Sequence, residues 1–215
     1  MNRVDAVWAV GRVTIQPLTK LFTPLRVYGT ERVPLEGGVV LAMNHFSWLD
    51  PPAFGTACPR TIHFLAKSEI HSHFGLGQLI RAFGTRSVRR GESDREAVRA
   101  MREIVREGHA LGLFVEGTRQ KTSLPGEAMP GAGMVALQED APVLPAAIYG
   151  SFEWRPWNRR PVSIVWGEPM TFEGIARSGK GYREASLLIQ EEIHRLWRWL
   201  GGIHEQGRPE NVTLP

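Results

Sequence analysis

A histidine and an aspartate stand five positions apart in Asn44-His45-Phe46-Ser47-Trp48-Leu49-Asp50, directly after an apolar run and directly before Pro51-Pro52. Four intervening residues are enough to turn the chain back so that the carboxylate meets one imidazole nitrogen. In that geometry the carboxylate selects the ring tautomer and stabilises the imidazolium, while the second nitrogen takes a proton from a hydroxyl. This is triad logic with the nucleophile supplied by the substrate. The same residues fit a structural reading as well, with Asp50 as the N-cap of a helix that carries proline in its first turn and His45 as a loop histidine. Ser47 adds the third ingredient of a serine hydrolase, but no G-x-S-x-G elbow occurs in the chain. Its hydroxyl is expected to brace the turn by bonding to backbone.

Other clusters could hold an anion. Gly84-Thr85-Arg86-Ser87-Val88-Arg89-Arg90-Gly91, with Arg81 nearby, sets arginines between two glycines. A guanidinium there could reach a phosphate, and a solvated surface is the other reading. Glu116-Gly117-Thr118-Arg119 follows the apolar run Ala110 to Val115. Glycine allows close backbone approach, and Thr118 and Arg119 can donate hydrogen bonds. Trp154-Arg155-Pro156-Trp157-Asn158-Arg159-Arg160 interleaves rings with cations, which suits a lipid headgroup region or stacked bases. His63, His71 and His73 with Glu69 lack any zinc spacing, so no metal is expected. Cys58 is the only cysteine; it excludes an intrachain disulfide and reads as structural, in a reducing compartment.

The elements that must position these residues follow from apolar patterning. Short apolar runs at Leu25–Gly29, Gly37–Met43, Thr61–Lys67, Ala110–Val115, Val143–Tyr149 and Val162–Gly167 read as strands. Between them lie helices at 74–83, from a Ser93/Glu96 capping box to Gly108, at 133–139, and at 181–200 closed by Gly201-Gly202. The apolar stripe of the second, Ala97, Val98, Met101, Ile104 and Val105, leaves Arg95, Arg99, Arg102 and Arg106 to solvent without invoking nucleic acid. The expected fold is α/β, a single domain with a central, mostly β-sheet core flanked by helices and preceded by an N-terminal amphipathic helical segment. Residues 1–24 form that segment, interrupted near Pro17, which could lie in a bilayer interface or cover the core. The domain proper is expected over 25–203, with a flexible tail over 204–215.

Lysine and arginine number 26 against 22 acidic residues, a net charge of +4, which favours an anionic partner. Residues 37–59 carry one formal charge, Asp50, but their glycines and Pro51-Pro52 argue against a membrane-spanning helix. No secretory signal is apparent, so the expected location is the cytoplasm, on the cytoplasmic face of a membrane if peripheral.

Taken in order, four of these stretches resemble the glycerolipid acyltransferases of the 1-acylglycerol-3-phosphate acyltransferase family. Asn44-His45-Phe46-Ser47-Trp48-Leu49-Asp50 is similar to the family's N-H-x-S-x-x-D block, and the resemblance implies that His45 is the general base and Asp50 its orienting partner. Gly84 to Arg90 resembles G-x-x-x-x-x-R, implying Arg90 as a phosphate ligand; Arg89 stands where the family has aspartate, which leaves the choice between the two arginines open. Phe114-Val115-Glu116-Gly117-Thr118-Arg119 resembles F-P-E-G-T-R, with Val115 in place of proline, a change expected to relax the turn. By that resemblance Glu116, Gly117, Thr118 and Arg119 hold the acceptor. Val143-Leu144-Pro145-Ala146 is similar to V-x-P, implying that Val143 and Pro145 contact the acyl donor or shape the site. Asn44, Ser47 and Gly84 complete the blocks.

The implied enzyme is an O-acyltransferase of phospholipid biosynthesis. It would move a fatty acyl group from acyl-CoA or acyl-carrier protein, a co-substrate and not a cofactor, to the hydroxyl of a lysophospholipid, 1-acylglycerol-3-phosphate foremost. Backbone N–H groups near Asn44 or Ser47 would hold the tetrahedral oxyanion. Two alternatives stand beside it. One is the same chemistry on another lysophospholipid or a glycolipid. The other is a non-catalytic module binding anionic lipid or nucleic acid through Trp154, Trp157 and the arginines, which leaves the His45 and Glu116 clusters unexplained. The expected partners are therefore the donor, the acceptor and a membrane surface reached by the N-terminal segment and Trp154 with Trp157, and no nucleic acid.

Overall fold

Five consecutive buried residues, Val39–Met43, form strand β2, and the sheet is built outward from it. Side chains alternate along a strand, so Val39, Leu41 and Met43 enter one core while Val40 and Ala42 enter another on the opposite face. A strand covered on both faces reads as a continuous apolar run, which is why this one carries no polar alternation.

The computed structural model describes residues 7–8, 10–11, 13, 23–67, 77–78, 81, 85–88 and 94–215. In chain order the elements are β1 (Leu25–Tyr28), β2 (Val39–Met43), α1 (Asp50–Ala57), β3 (Ile62–Lys67), β4 (Arg86–Val88), α2 (Asp94–Arg106), β5 (Ala110–Phe114), α3 (Gly131–Glu139), β6 (Val143–Tyr149), β7 (Val162–Trp166) and α4 (Gly179–Glu205). The described strands form one sheet in the order β1-β7-β6-β2-β5-β3-β4. Every neighbouring pair is parallel except β6 with β7. The fold is thus α/β with a central sheet flanked by helices. Phe54 and Ala57 of α1 pack on one face; Ile104 of α2, Val135 of α3 and Ile189 and Ile193 of α4 pack on the other.

Helix α4 departs from expectation at its C-terminal end. It runs through Gly201-Gly202 to Glu205, although glycine inside a helix costs about 1 kcal/mol relative to alanine. Leu196, Leu200 and Ile203 lie on one stripe and are buried against Ala147 and Val165, and this burial outweighs the glycine penalty. At the other end Ser178 caps the helix, its Oγ accepting from the Gly181 N–H at 3.2 Å.

The tail beyond α4 is docked, contrary to the flexible segment expected over 204–215. The Tyr28 hydroxyl donates to the Pro209 carbonyl at 3.0 Å, Arg208 donates to the Pro24 carbonyl at 2.6 Å, and Arg32 donates to the Pro215 carbonyl at 3.3 Å. Val212 and Leu214 pack beside Tyr28 and Leu200. This packs the tail beside β1, the edge strand of the sheet. Tail and strand are far apart in the chain, so no local pattern reveals the contact.

Of the N-terminal segment, Val7–Trp8, Val10–Gly11 and Val13 are described and helical. Trp8 is buried close against Gly55 of α1, whereas Val10 and Val13 are exposed. Trp8 therefore packs on α1. The expected helix over 74–83 and Ser93 of the capping box lie largely outside the described residues.

His204 near the end of α4 faces Ser163 of β7, Nε2 to Oγ 2.9 Å, and lies against the Tyr149 ring. Burial pushes its pKa from 6.5 down to about 4, with the charge of Arg208 acting in the same direction. Between those values the unfolded chain binds more protons than the folded one. Stability is therefore expected to fall as pH drops from 6.5 to 4, and His204→Leu to flatten that part of the profile in a chemical-denaturation series. Equal slopes for variant and wild type would refute this assignment.

Candidate active site

Where β2 ends, Asn44 continues the ladder with its side chain. Its Nδ2 donates to the Ile148 carbonyl at 3.0 Å and its Oδ1 accepts from the Ile148 N–H at 2.8 Å, fully buried. This ties the following loop to β6 and satisfies two backbone groups that would otherwise be buried unpaired.

Residues 45–49 then wrap around one carboxylate. Oδ2 of Asp50 accepts from the N–H of Phe46 at 2.6 Å, the N–H of Ser47 at 2.7 Å and Nδ1 of His45 at 2.8 Å. Oδ1 accepts from the Ser47 hydroxyl at 3.3 Å, and the Ser47 oxygen accepts from the Leu49 N–H at 3.1 Å. Ser47 thus braces the turn, as its setting in the sequence predicts. The Asp50 side chain is 0% exposed and that of His45 15%. A carboxylate offers acceptors here, so Nδ1 carries the ring hydrogen and Nε2 the lone pair.

Two expectations are corrected at this loop. Leu49, not Asp50, is the N-cap of α1; its carbonyl accepts from the Ala53 N–H at 2.9 Å, and the Asp50 carboxylate turns back into the loop. The backbone N–H groups of Phe46 and Ser47 are spent on Asp50, so neither is left to hold an oxyanion, contrary to the expectation for Ser47.

Strand β5 supplies the second wall, because its register sets Phe114 beside Met43. The Phe114 ring stacks on His45, centroids 4.0 Å apart and planes at 18°. Beyond it, the Val115 N–H donates to the Met43 carbonyl at 2.9 Å, and the Gln120 N–H donates to the His45 carbonyl at 2.8 Å. Proline at 115 could not make the first of these bonds, so valine secures the join and does not relax it. Gly117 turns the segment in the left-handed region, φ 68°, and a side chain there would strike the Met129 sulfur.

Glu116 is buried and turned inward, its Oε1 accepting from the Gly126 N–H at 3.3 Å while Oε2 has no partner. Burial is the main cause that pushes its pKa up to about 8; nearby backbone N–H groups oppose this, and the charge of Asp50 adds to it. An inward carboxyl bonded to the Gly126 N–H braces the turn and does not reach the rim where Thr118 and Arg119 lie, which corrects its expected role. Thr118 and Arg119 are exposed at the rim, and the Arg119 guanidinium lies 4.1 Å from the centroid of the Trp48 ring.

The β6–β7 hairpin borders the same loop. Phe152 meets Phe46 edge to face, centroids 6.1 Å apart, and Trp154 packs on the adjoining core. Trp157 is 80% exposed, among the exposed Arg155, Arg159 and Arg160. Val143 and Pro145 lie buried inside β6, opposite Val40 and Ala42. Buried there, they help to set the sheet that carries the site. Gly84, Arg89 and Arg90 lie outside the described residues. Arg86 is committed to Glu103 of α2 and to Glu107 just beyond it. Among the described residues no cluster could hold a metal ion.

Sequence reasoning missed Phe114, Gln120 and Trp48 as parts of the site. Trp48 alone carried a local signal, an aromatic residue in the turn between His45 and Asp50. The other two needed the pairing of β2 with β5.

Removing the central carboxylate should leave the Phe46 and Ser47 amides unpaired. Asp50→Ala is expected to destabilise by about 2–5 kcal/mol and Asp50→Asn, which keeps an acceptor, by about 1 kcal/mol, measured by denaturant unfolding. Equal losses would mean that the loop does not depend on that acceptor. For Glu116, the folded chain binds the extra proton between 4.5 and about 8, so stability falls as pH rises through that window. Glu116→Gln should therefore gain on wild type as pH rises, read from paired melting curves; a constant difference would exclude a raised pKa.

Known proteins resemble this chain in fold and in sequence. A solved structure of the 1-acyl-sn-glycerophosphate acyltransferase of Thermotoga maritima superposes with a TM-score of 0.70, covering 97% of this chain and 81% of that one at 24% identity, a likeness of fold. The 1-acyl-sn-glycerol-3-phosphate acyltransferase of Bacillus subtilis is 27% identical over 148 residues, 68% of this chain and 73% of its own length. The lyso-ornithine lipid O-acyltransferase of Rhodobacter capsulatus is 35% identical over 92 residues, 42% of this chain and 33% of its own. A probable 1-acyl-sn-glycerol-3-phosphate acyltransferase of Mycoplasma genitalium is 34% identical, and this chain spans 48% of its length. The model of the Acyltransferase family matches residues 24–149, more than half of the chain, and the protein therefore belongs to that family.

Proposed function

We propose that the protein acylates the free hydroxyl of a lysophospholipid, with 1-acylglycerol-3-phosphate as the acceptor and a thioester of coenzyme A or acyl-carrier protein as the donor. The observation that carries this reading is the His45–Asp50 pair, Nδ1 to Oδ2 2.8 Å, which leaves the Nε2 lone pair of a clamped imidazole for a proton. In the reaction Nε2 takes the acceptor hydroxyl's proton as that oxygen bonds to the thioester carbonyl carbon. Collapse of the tetrahedral intermediate breaks the C–S bond, and the imidazolium returns the proton to the leaving thiolate. Phe114 keeps the ring from swinging away, and Asp50 steadies the cation formed midway. Arg119 at the rim takes the acceptor's phosphate, so that the hydroxyl is presented to His45 and not merely admitted. The names of the Bacillus subtilis and Mycoplasma genitalium relatives support this choice of acceptor.

The Rhodobacter capsulatus relative favours a second reading, the same transfer to a lipid whose headgroup lacks a terminal phosphate. In either case the acceptor is amphiphilic. Among the described residues no helix is long and apolar enough to cross a membrane. Contact with the cytoplasmic face of a bilayer would then be peripheral, through Trp157 and its arginines with exposed Val10 and Val13.

Transfer from a labelled acyl thioester to a panel of acceptors tests both readings. His45→Ala is expected to lower turnover about 10²–10⁴-fold while the chain stays folded. Turnover by that variant at the wild-type rate would exclude His45 as the base. Preference for an acceptor without phosphate would decide for the second reading.

A further inference from the structure

Trp48 is 65% exposed, in the middle of a loop that is otherwise tightly held. Its neighbours Ser47 and Leu49 are pinned by Asp50 and by the Ser47 oxygen, so the indole's point of attachment does not wander. The ring fills no core. Its described contact is the Arg119 guanidinium, 4.1 Å from its centroid.

That contact sets Arg119 apart. Arg26, Arg32, Arg86, Arg160 and Arg195 each reach a carboxylate, and Arg60, Arg155 and Arg208 reach backbone carbonyls, whereas Arg119 meets a ring. Among the described residues no carboxylate pairs with Arg119. Cation–π attraction needs no hydrogen-bond acceptor, and a guanidinium laid flat on a ring keeps its in-plane N–H groups for two oxygens of a phosphate. Both partners are tethered to the base: Trp48 stands three residues after His45, and Gln120, next to Arg119, donates its N–H to the His45 carbonyl at 2.8 Å.

We infer that Trp48 is a positioning residue for the acceptor's phosphate: it holds Arg119 by its face, at a set place beside His45, with the guanidinium edge turned to the phosphate oxygens. This rests on the reading of Arg119 as the phosphate contact. Without the ring, a long exposed arginine side chain would sample many rotamers, and ordering it would fall to the substrate. The ligand class is a phosphate monoester on a glycerol unit, and the lipid tail plays no part in this contact.

The test uses the full chain with Trp48→Ala, Trp48→Phe, Arg119→Ala and the Trp48→Ala/Arg119→Ala double variant. Three quantities are read: kcat and KM for 1-acylglycerol-3-phosphate, KM for the acyl thioester, and the inhibition constant of glycerol 3-phosphate, which has the phosphate without the tail. Trp48→Ala is expected to raise the acceptor KM and the glycerol 3-phosphate constant together, about fivefold each, with kcat within about twofold and the donor KM unchanged. Trp48→Phe, which keeps a ring face, should recover most of the loss. In the double variant the Trp48 change should add little to that of Arg119→Ala.

Full additivity would overturn the inference. So would a Trp48→Ala variant that raises the lipid KM but leaves the glycerol 3-phosphate constant alone, since the indole would then be touching lipid. If Arg119→Ala itself moves neither quantity, or glycerol 3-phosphate fails to inhibit the wild type, the phosphate reading of Arg119 falls and takes the inference with it. If Arg119→Ala has a large effect and Trp48→Ala none, only the role of Trp48 is lost.

Discussion

One carboxylate oxygen, Oδ2 of Asp50, accepts three hydrogens, from two backbone amides and an imidazole, in a place that water does not reach. Burying a carboxylate is costly unless its lone pairs are filled, and filling them here requires the chain from His45 to Ser47 to curl around it. The loop's shape and the histidine's orientation are therefore one event. The same bonds that stabilise the turn choose which ring nitrogen carries the hydrogen.

The sheet delivers the rest of the site to that loop. β2, β5 and β6 run parallel, so the segments that leave their C-terminal ends emerge together, as ligand sites do in open α/β sheets. From β2 comes the His45 loop, from β5 the Phe114 stack and the Glu116–Arg119 turn, and from β6 the hairpin that carries Trp157. Asn44 joins the first to the third through Ile148, and Gln120 joins the second to the first through the His45 carbonyl. The turn is braced from within by Glu116, whose pKa burial pushes up to about 8. A charged carboxylate in that place would face Asp50 across a poorly solvated interior. The rim outside it is cationic and aromatic, with Arg119 on Trp48 and three arginines around Trp157, which suits an amphiphile with an anionic headgroup.

Much of the fold was legible because local patterns and tertiary demands agree. Val39–Met43 and Ala110–Phe114 are apolar without interruption because both faces are covered. Helix α2 shows a clean stripe because one face meets the sheet. The disagreements have physical causes. Gly201-Gly202 looked like a helix stop, but the burial of Leu200 and Ile203 carries α4 past it. The tail looked frayed because its anchors, Tyr28 and Arg32, lie at the other end of the chain. Glu116 looked like a ligand because nothing local says which way a side chain on a tight turn will point.

What the sequence determined by itself was the chemistry available and the local turns: a histidine and an aspartate at a spacing that lets one meet the other, a glycine where the backbone must turn left-handed, and a serine placed to bond its own loop. Such features depend on residues a few positions apart, and backbone sterics and side-chain reach decide them. The tertiary structure alone decided which strands are neighbours, and with that the Phe114 ring on His45, the Gln120 bond to its carbonyl, and the Trp48 face under Arg119. Those contacts join residues some 70 positions apart. They exist because β2 pairs with β5, a choice made by the burial of whole strands and not by any one residue.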